Sequence, residues 1–144
     1  MSRSGAIDRI DALLATVSDP AFTAVLRGEP LSISGAPLIA FWLTDRITSS
    51  MTLTDTNTQT TFMIRAYFRM QVSADVRESL ETDLWDAAVN IDTALRSDAD
   101  LAGNVDDSAV GATVTGYTDI GGVAYRTLQM PFTVEIMGDV AITP

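Results

Sequence analysis

The chain has 144 residues, 19 acidic against nine basic side chains and a formal net charge of −10; it lacks histidine and cysteine, and every basic residue is an arginine. Without His, Cys or Lys there is no Ser-His-Asp triad, thiolate nucleophile, zinc finger, disulfide, Schiff base or Walker A loop. The acidic balance also disfavours broad nucleic-acid binding, which needs basic groups on phosphates. Carboxylate chemistry, arginine clamps and oxygen-ligated Mg²⁺ or Ca²⁺ stay open.

The length suits a single domain, expected over residues 4–140. Ile7, Ile10, Leu14 and Val17 recur at helical spacing and predict an amphipathic helix over 4–18, capped by Ser4 and ended by Asp19-Pro20. Arg3, Asp8, Arg9 and Asp11 interrupt the apolar run that a signal peptide would need. No run is long enough to span a bilayer, so a soluble chain with no membrane partner is expected. Phe22–Leu26 is a short strand candidate. PLIAFWLT (37–44) is apolar on both faces, as in a central strand or one whose second face meets a partner chain.

Runs 47–53 and 61–72 flank the polar stretch 54–60 and read as a long hairpin with an exposed tip. In the second run Phe62, Ile64, Ala66, Phe68 and Met70 alternate with Arg65, Tyr67, Arg69 and Gln71, a period of two that predicts a half-buried strand. Val76, Leu80, Leu84, Ala87, Ala88, Ile91 and Leu95 form the stripe of a second helix, with Ser73 as its cap and Arg96 at its negative end. After the acidic loop 98–107 come strands 109–117 and 123–136, with Pro131 implying an edge or a bulge. The order α-β-β-β-β-α-β-β predicts an α+β fold: a mostly antiparallel β-sheet with two helices packed on one face and a long protruding β-hairpin.

Few residues suggest chemistry. The loop from Asp98 to Asp106 has acids at calcium-loop positions 1, 3 and 9 and Gly103 at position 6. However, Ala102 and Ala109 stand where ligands belong, leaving at most a weak Ca²⁺ site beside the simpler reading of solvated acids. Asp83, Asp86 and Asp92 could serve as paired carboxylates, but surface helices routinely carry such acids. Arg65 and Arg69, with Tyr67 between them, suggest an anion clamp or cross-strand pairing with acids such as Glu135. Gly121 and Gly122 serve a turn, and Trp42 and Trp85 are expected in the core. The threonine-rich hairpin gains little by folding alone and is expected either to lie on a neighbouring subunit, anchored by Met51 and Leu53, or to stay mobile. Candidate interface residues are Phe41, Met51, Leu53, Thr54, Asp55, Asn57, Arg65, Tyr67 and Arg69.

Several phrases in order resemble one family. The N-terminal helix, the strand PLIAFW and the passage TFMIRAYFRMQVSADVRESLETDLWDAAVNIDTAL are followed by LRSDADLAGNVDD and GYTDIGGVAYRTLQMPFTVEI, together covering residues 5–137. With these the chain resembles the tail terminator (tail completion) proteins of long-tailed bacteriophages and phage-derived gene transfer particles. The missing lysine departs from that family in composition and fits a GC-rich genome that prefers arginine codons. The resemblance implies a structural virion protein rather than an enzyme, with no cofactor or metal and no shared catalytic residues. It implies a homo-oligomer, a hexameric ring at the head-proximal end of the tail, assembled from chains made in the bacterial cytoplasm. Its partners would be the tail tube protein and head–tail connector proteins, with DNA passing through without specific binding. A head–tail connector, stopper or minor tail protein would share composition and partners; a monomeric binding module, a weak Ca-binding domain or an unrecognised carboxylate enzyme are the lesser alternatives.

Overall fold

The computed structural model describes residues 3–33, 35–50, 55–70 and 74–139. Helix α1 (Arg3–Ala15) starts one residue before Ser4, so Ser4 lies in its first turn and is not its cap. Ala6, Ile10, Leu13 and Leu14, with Val17 just beyond, are buried on one side, the spacing that makes a helix amphipathic. Helix α2 (Ala74–Arg96) buries Leu80, Leu84, Ala87, Ile91 and Leu95. Asp92 accepts a hydrogen bond from Arg96 Nε at 2.7 Å across one turn, beside the negative end of the helix dipole. The predicted cap Ser73 lies outside the described residues. Among the described residues no helix is long and apolar enough to cross a membrane.

Among the described residues six strands form one mostly antiparallel sheet: β1 (Val25–Arg27), β2 (Leu38–Ser50), β3 (Asp55–Arg69), β4 (Asp107–Val110), β5 (Val114–Ile120) and β6 (Val123–Asp139). The order is β1-β2-β3-β6, with β4 and β5 in succession along the far side of β6. Only the short β1 runs parallel, against residues 39–41 of β2. Both helices lie on one face, over Ile39, Phe41, Phe62, Ile64, Ala66, Phe68, Leu128, Met130 and Phe132. This is the α+β arrangement that the element order predicts.

The opposite face has its own small core, in which Leu38, Ala40, Tyr67 and Tyr125 are covered partly by Ile33 and Ala36 from the segment after β1. From Leu38 to Trp42 both apolar faces of PLIAFWLT are therefore met inside the chain, whereas Leu43 is exposed. Phe41 belongs to the helix side, 2% exposed and edge-to-face with Phe62.

Three expectations about the strands are corrected. The runs 37–44 and 47–53 are not separate strands: β2 is continuous to Ser50, with a bulge between Leu43 and Asp45. One extra residue there shifts the alternation and makes one strand read as two. The polar stretch is strand from Asp55 onward, not a loop, and β6 pairs with β3 along its whole length, Asp55 opposite Asp139. The predicted strand 109–117 is two, β4 and β5, separated at 111–113.

Pro131 sits in the central strand β6, so an edge position is wrong. Its carbonyl accepts from Gly111 N at 2.7 Å, which turns its ring nitrogen toward the break between β4 and β5. Three residues, 111–113, stand there against two of β6, a local irregularity in which no ladder donor is needed.

Candidate assembly interface

Among the described residues the outer side of β2 is paired over only part of its length. β1 covers only residues 39–41, and Gly28 N donates to the Phe41 carbonyl at 2.8 Å as the chain turns away. From Leu43 to Ser50 the strand has β3 as its single partner among the described residues. Leu43 to Ser49 are exposed, including Leu43 at 56% and Ile47 at 54%. An edge strand with large apolar side chains and no proline or lysine is a template for strand addition.

The arm behind this edge is held by polar pairs. The Thr48 and Thr58 hydroxyls meet at 3.2 Å, and those of Thr61 and Thr133 at 3.1 Å, cross-strand contacts that favour this register. Asn57 Oδ1 is buried without a hydrogen-bond partner among the described residues. Such a group costs stability until something donates to it. Met51, Leu53 and Thr54 lie outside the described residues, and Asp55 is placed here only as the first residue of β3.

Arg65 does not form an anion clamp with Arg69. Its Nε and Nη2 donate to Gln129 Oε1 at 3.0 and 2.7 Å, and its guanidinium lies over Trp42, 5.0 Å from the ring centroid. Nη1 also donates to the Tyr67 hydroxyl at 3.5 Å, and Glu29 is 4.0 Å away. Glu135, the suggested acid, stands opposite Gln59 instead. Arg69 projects from the end of β3, four residues and so about 13 Å along the strand, too far to share one small anion. Tyr67 is fully buried between them; burial raises its hydroxyl pKa, and the bond from Arg65 opposes that rise.

Beside Arg65 is a cavity of about 290 Å³ lined by Glu29, Leu31, Tyr67, Thr118 and Asp119. Two carboxylates outnumber its one guanidinium, and no nucleophile and base are paired in it. Asp98 of the calcium-like loop is held by Arg9 Nε at 2.6 Å, and Asp106 accepts from Met137 N. Asp92 is paired with Arg96, while Asp83 lines a smaller cavity with Arg69. Among the described residues no three acids come together around a point.

One surface escaped the sequence reading. Trp85, expected in the core, is 72% exposed, one turn beyond Glu81 on α2. Glu81 pairs with Arg126 Nε at 3.2 Å, and Arg126 in turn lies 4.6 Å from the centroid of Tyr117, which is 68% exposed on β5. The spacing held the signal: Trp85 directly follows the stripe residue Leu84, so it is rotated about 100° from the buried direction. No protein-family model matches the chain, and no curated protein sequence matches it.

Proposed function

We propose that the chain is a structural virion protein of the tail-terminator type. It forms a ring, by the resemblance a hexamer, that caps the tail tube, ends tube polymerisation and offers the head-joining surface, with DNA passing through. The observation that carries this reading is the unpaired β2 edge beyond Leu43, next to the resemblance over residues 5–137. A ring needs heterologous contacts that use two different patches on each subunit. The sheet has two such ends, β2 on one side and β4 with β5 on the other. On this reading the protein acts by packing and self-association and is no enzyme. Its partners are the tube protein and the head–tail connector.

Charge supports passage rather than capture of DNA. A hexamer carries six times the single-chain charge of −10, and acids lining the bore would keep phosphates off the wall. A bore lined with arginine would contradict this part of the proposal. Antibody-labelled intact particles test the role: label is expected at the junction of tail and head. Label at the distal tail tip, or within the head, would overturn it.

A further inference from the structure

We infer that the open edge of β2 pairs antiparallel with the same edge of a second copy, across a two-fold axis that passes at Ile47.

The backbone geometry of β2 comes first. Ile39 N donates to the Ala24 carbonyl and the Phe41 carbonyl accepts from Gly28 N, so residues whose side chains face the helices turn their peptide groups outward. β3 carries this phase past the bulge, because its pairing with β6 is unbroken: Thr60 and Thr58 share the helix face with Phe62 and Ile64. Arg46 and Thr48 stand opposite those threonines, so their N–H and carbonyl groups face the open side. The close Thr48–Thr58 hydroxyl contact agrees, since side chains approach most closely in pairs whose peptide groups point away from each other.

The occupant has to clear β1, which fills the outer side of β2 at residues 39–41 and leaves room only beyond Leu43. The far edge of the sheet does not fit there. β4 is level with this stretch, since Val110 leads through Phe132 and Phe62 to Leu43. It continues into β5, however, whose first residue Val114 leads through Gln129 and Arg65 to Ala40. Set beside a neighbour's β2, the run of β4 and β5 would meet that neighbour's β1. A second β2 turned end for end avoids this. With the axis at Ile47 its Ser50 comes level with Thr44, short of β1, and residues 43–49 are exposed to receive it.

Side chains select the register. An axis at Asp45 or at Arg46 would set that charge against its own copy. An axis at Thr48 would set Ile47 against Ser49. At Ile47 the two isoleucines, each 54% exposed, close on one another on the face away from the helices. Arg46 then faces the Thr48 hydroxyl of the second copy, and Asp45 faces that of Ser49. So short a pairing falls below the roughly 800 Å² per partner of a stable interface, which makes it reversible. Where the same edge also serves a ring, the dimer is the form of the chain away from the tail tube and opens before the ring closes; that consequence rests on the ring reading.

The chain has no cysteine, so single-cysteine variants of the full-length chain report the pairing position by position. Across the axis the two Ile47 Cα atoms stand about 4.5 Å apart, within disulfide reach, whereas two copies of residue 46, or of residue 48, stand about 8 Å apart. On mild oxidation Ile47→Cys should form disulfide dimers roughly tenfold faster than Arg46→Cys or Thr48→Cys alone. A mixture of those two variants should cross-link with each other, because residue 46 of one copy lies opposite residue 48 of the second. Thr48→Pro added to Ile47→Cys removes an outward donor and should suppress the cross-link, while circular dichroism stays that of the folded chain.

Equal rates at the three positions, a faster rate at 46 or 48 alone, or a cross-link untouched by the proline overturns the inference. Particle labelling separates the two proposals: label at the tail–head junction without this cross-linking pattern leaves the role and removes the dimer. The pattern with label elsewhere does the reverse.

Discussion

Arg9 on α1 donates from Nε to Asp98 Oδ2 at 2.6 Å, tying the first helix to the turn that follows the second. This bond, reinforced by the backbone N–H of Ala102, holds the Asp98 carboxyl below its ordinary value of 3.8. A depressed carboxyl contributes stability above the unfolded-state pKa, and that contribution is lost as pH falls through the folded-state value. Asp98→Asn should therefore destabilise the chain near neutral pH, by about 1 kcal/mol or less for so accessible a pair. The gap from the natural chain should close in acid, below the ordinary aspartate range, in urea titrations at stepped pH.

The turn after α2 is left-handed at three successive residues, Leu101 (φ 49°), Ala102 (φ 58°) and Gly103 (φ 84°). Leu101 is fully buried and cannot be spared, whereas Ala102 is exposed and makes no packing contribution to lose. Ala102→Gly should raise stability by about 0.5–1 kcal/mol, because glycine adopts this backbone without steric cost. Thermal unfolding of the two chains gives the comparison.

Gly111 makes the opposite case. A Cβ there would stand 2.5 Å from Pro131 Cγ and 3.4 Å from the Pro131 carbonyl oxygen. Gly111→Ala should cost about 1–3 kcal/mol, the range of overpacked sites, visible as a lower melting temperature.

Two residues of α2 separate packing from display. Ile91 is fully buried between helix and sheet, and Ile91→Ala should cost about 2–5 kcal/mol in urea denaturation. Trp85→Ala should change stability by no more than about 0.5 kcal/mol, since the ring is mostly in solvent.

Arg65→Lys should also destabilise, by about 1–2 kcal/mol. An ammonium cannot make the paired bonds to Gln129 or lie flat over Trp42 as the guanidinium does.

The elements that were readable from sequence are those whose burial follows one unbroken period. The α2 stripe and the alternation of Phe62, Ile64, Ala66 and Phe68 both reappear as buried faces. Periodicity failed at the bulge before Asp45, where a one-residue slip hides the continuity of β2. It was ambiguous for Phe41: an apolar strand face looks the same whether the chain's own helices or a neighbour cover it, and here the helices do. The role of Pro131 depends on a gap between two other strands, which no local pattern encodes. The interface candidates fared likewise. Arg65 reads from sequence as an anion clamp or the partner of an acid such as Glu135, because its actual partner Gln129 is 64 residues away, and the open edge beyond Leu43 emerges only once β1 is seen to stop at Arg27.

Particles produced without this chain separate a tail terminator from every other role. Electron microscopy should reveal overlong tails, or tails without heads, because nothing ends tube growth or joins the filled head. Tails of normal length, attached to heads as usual, would rule out the terminator role.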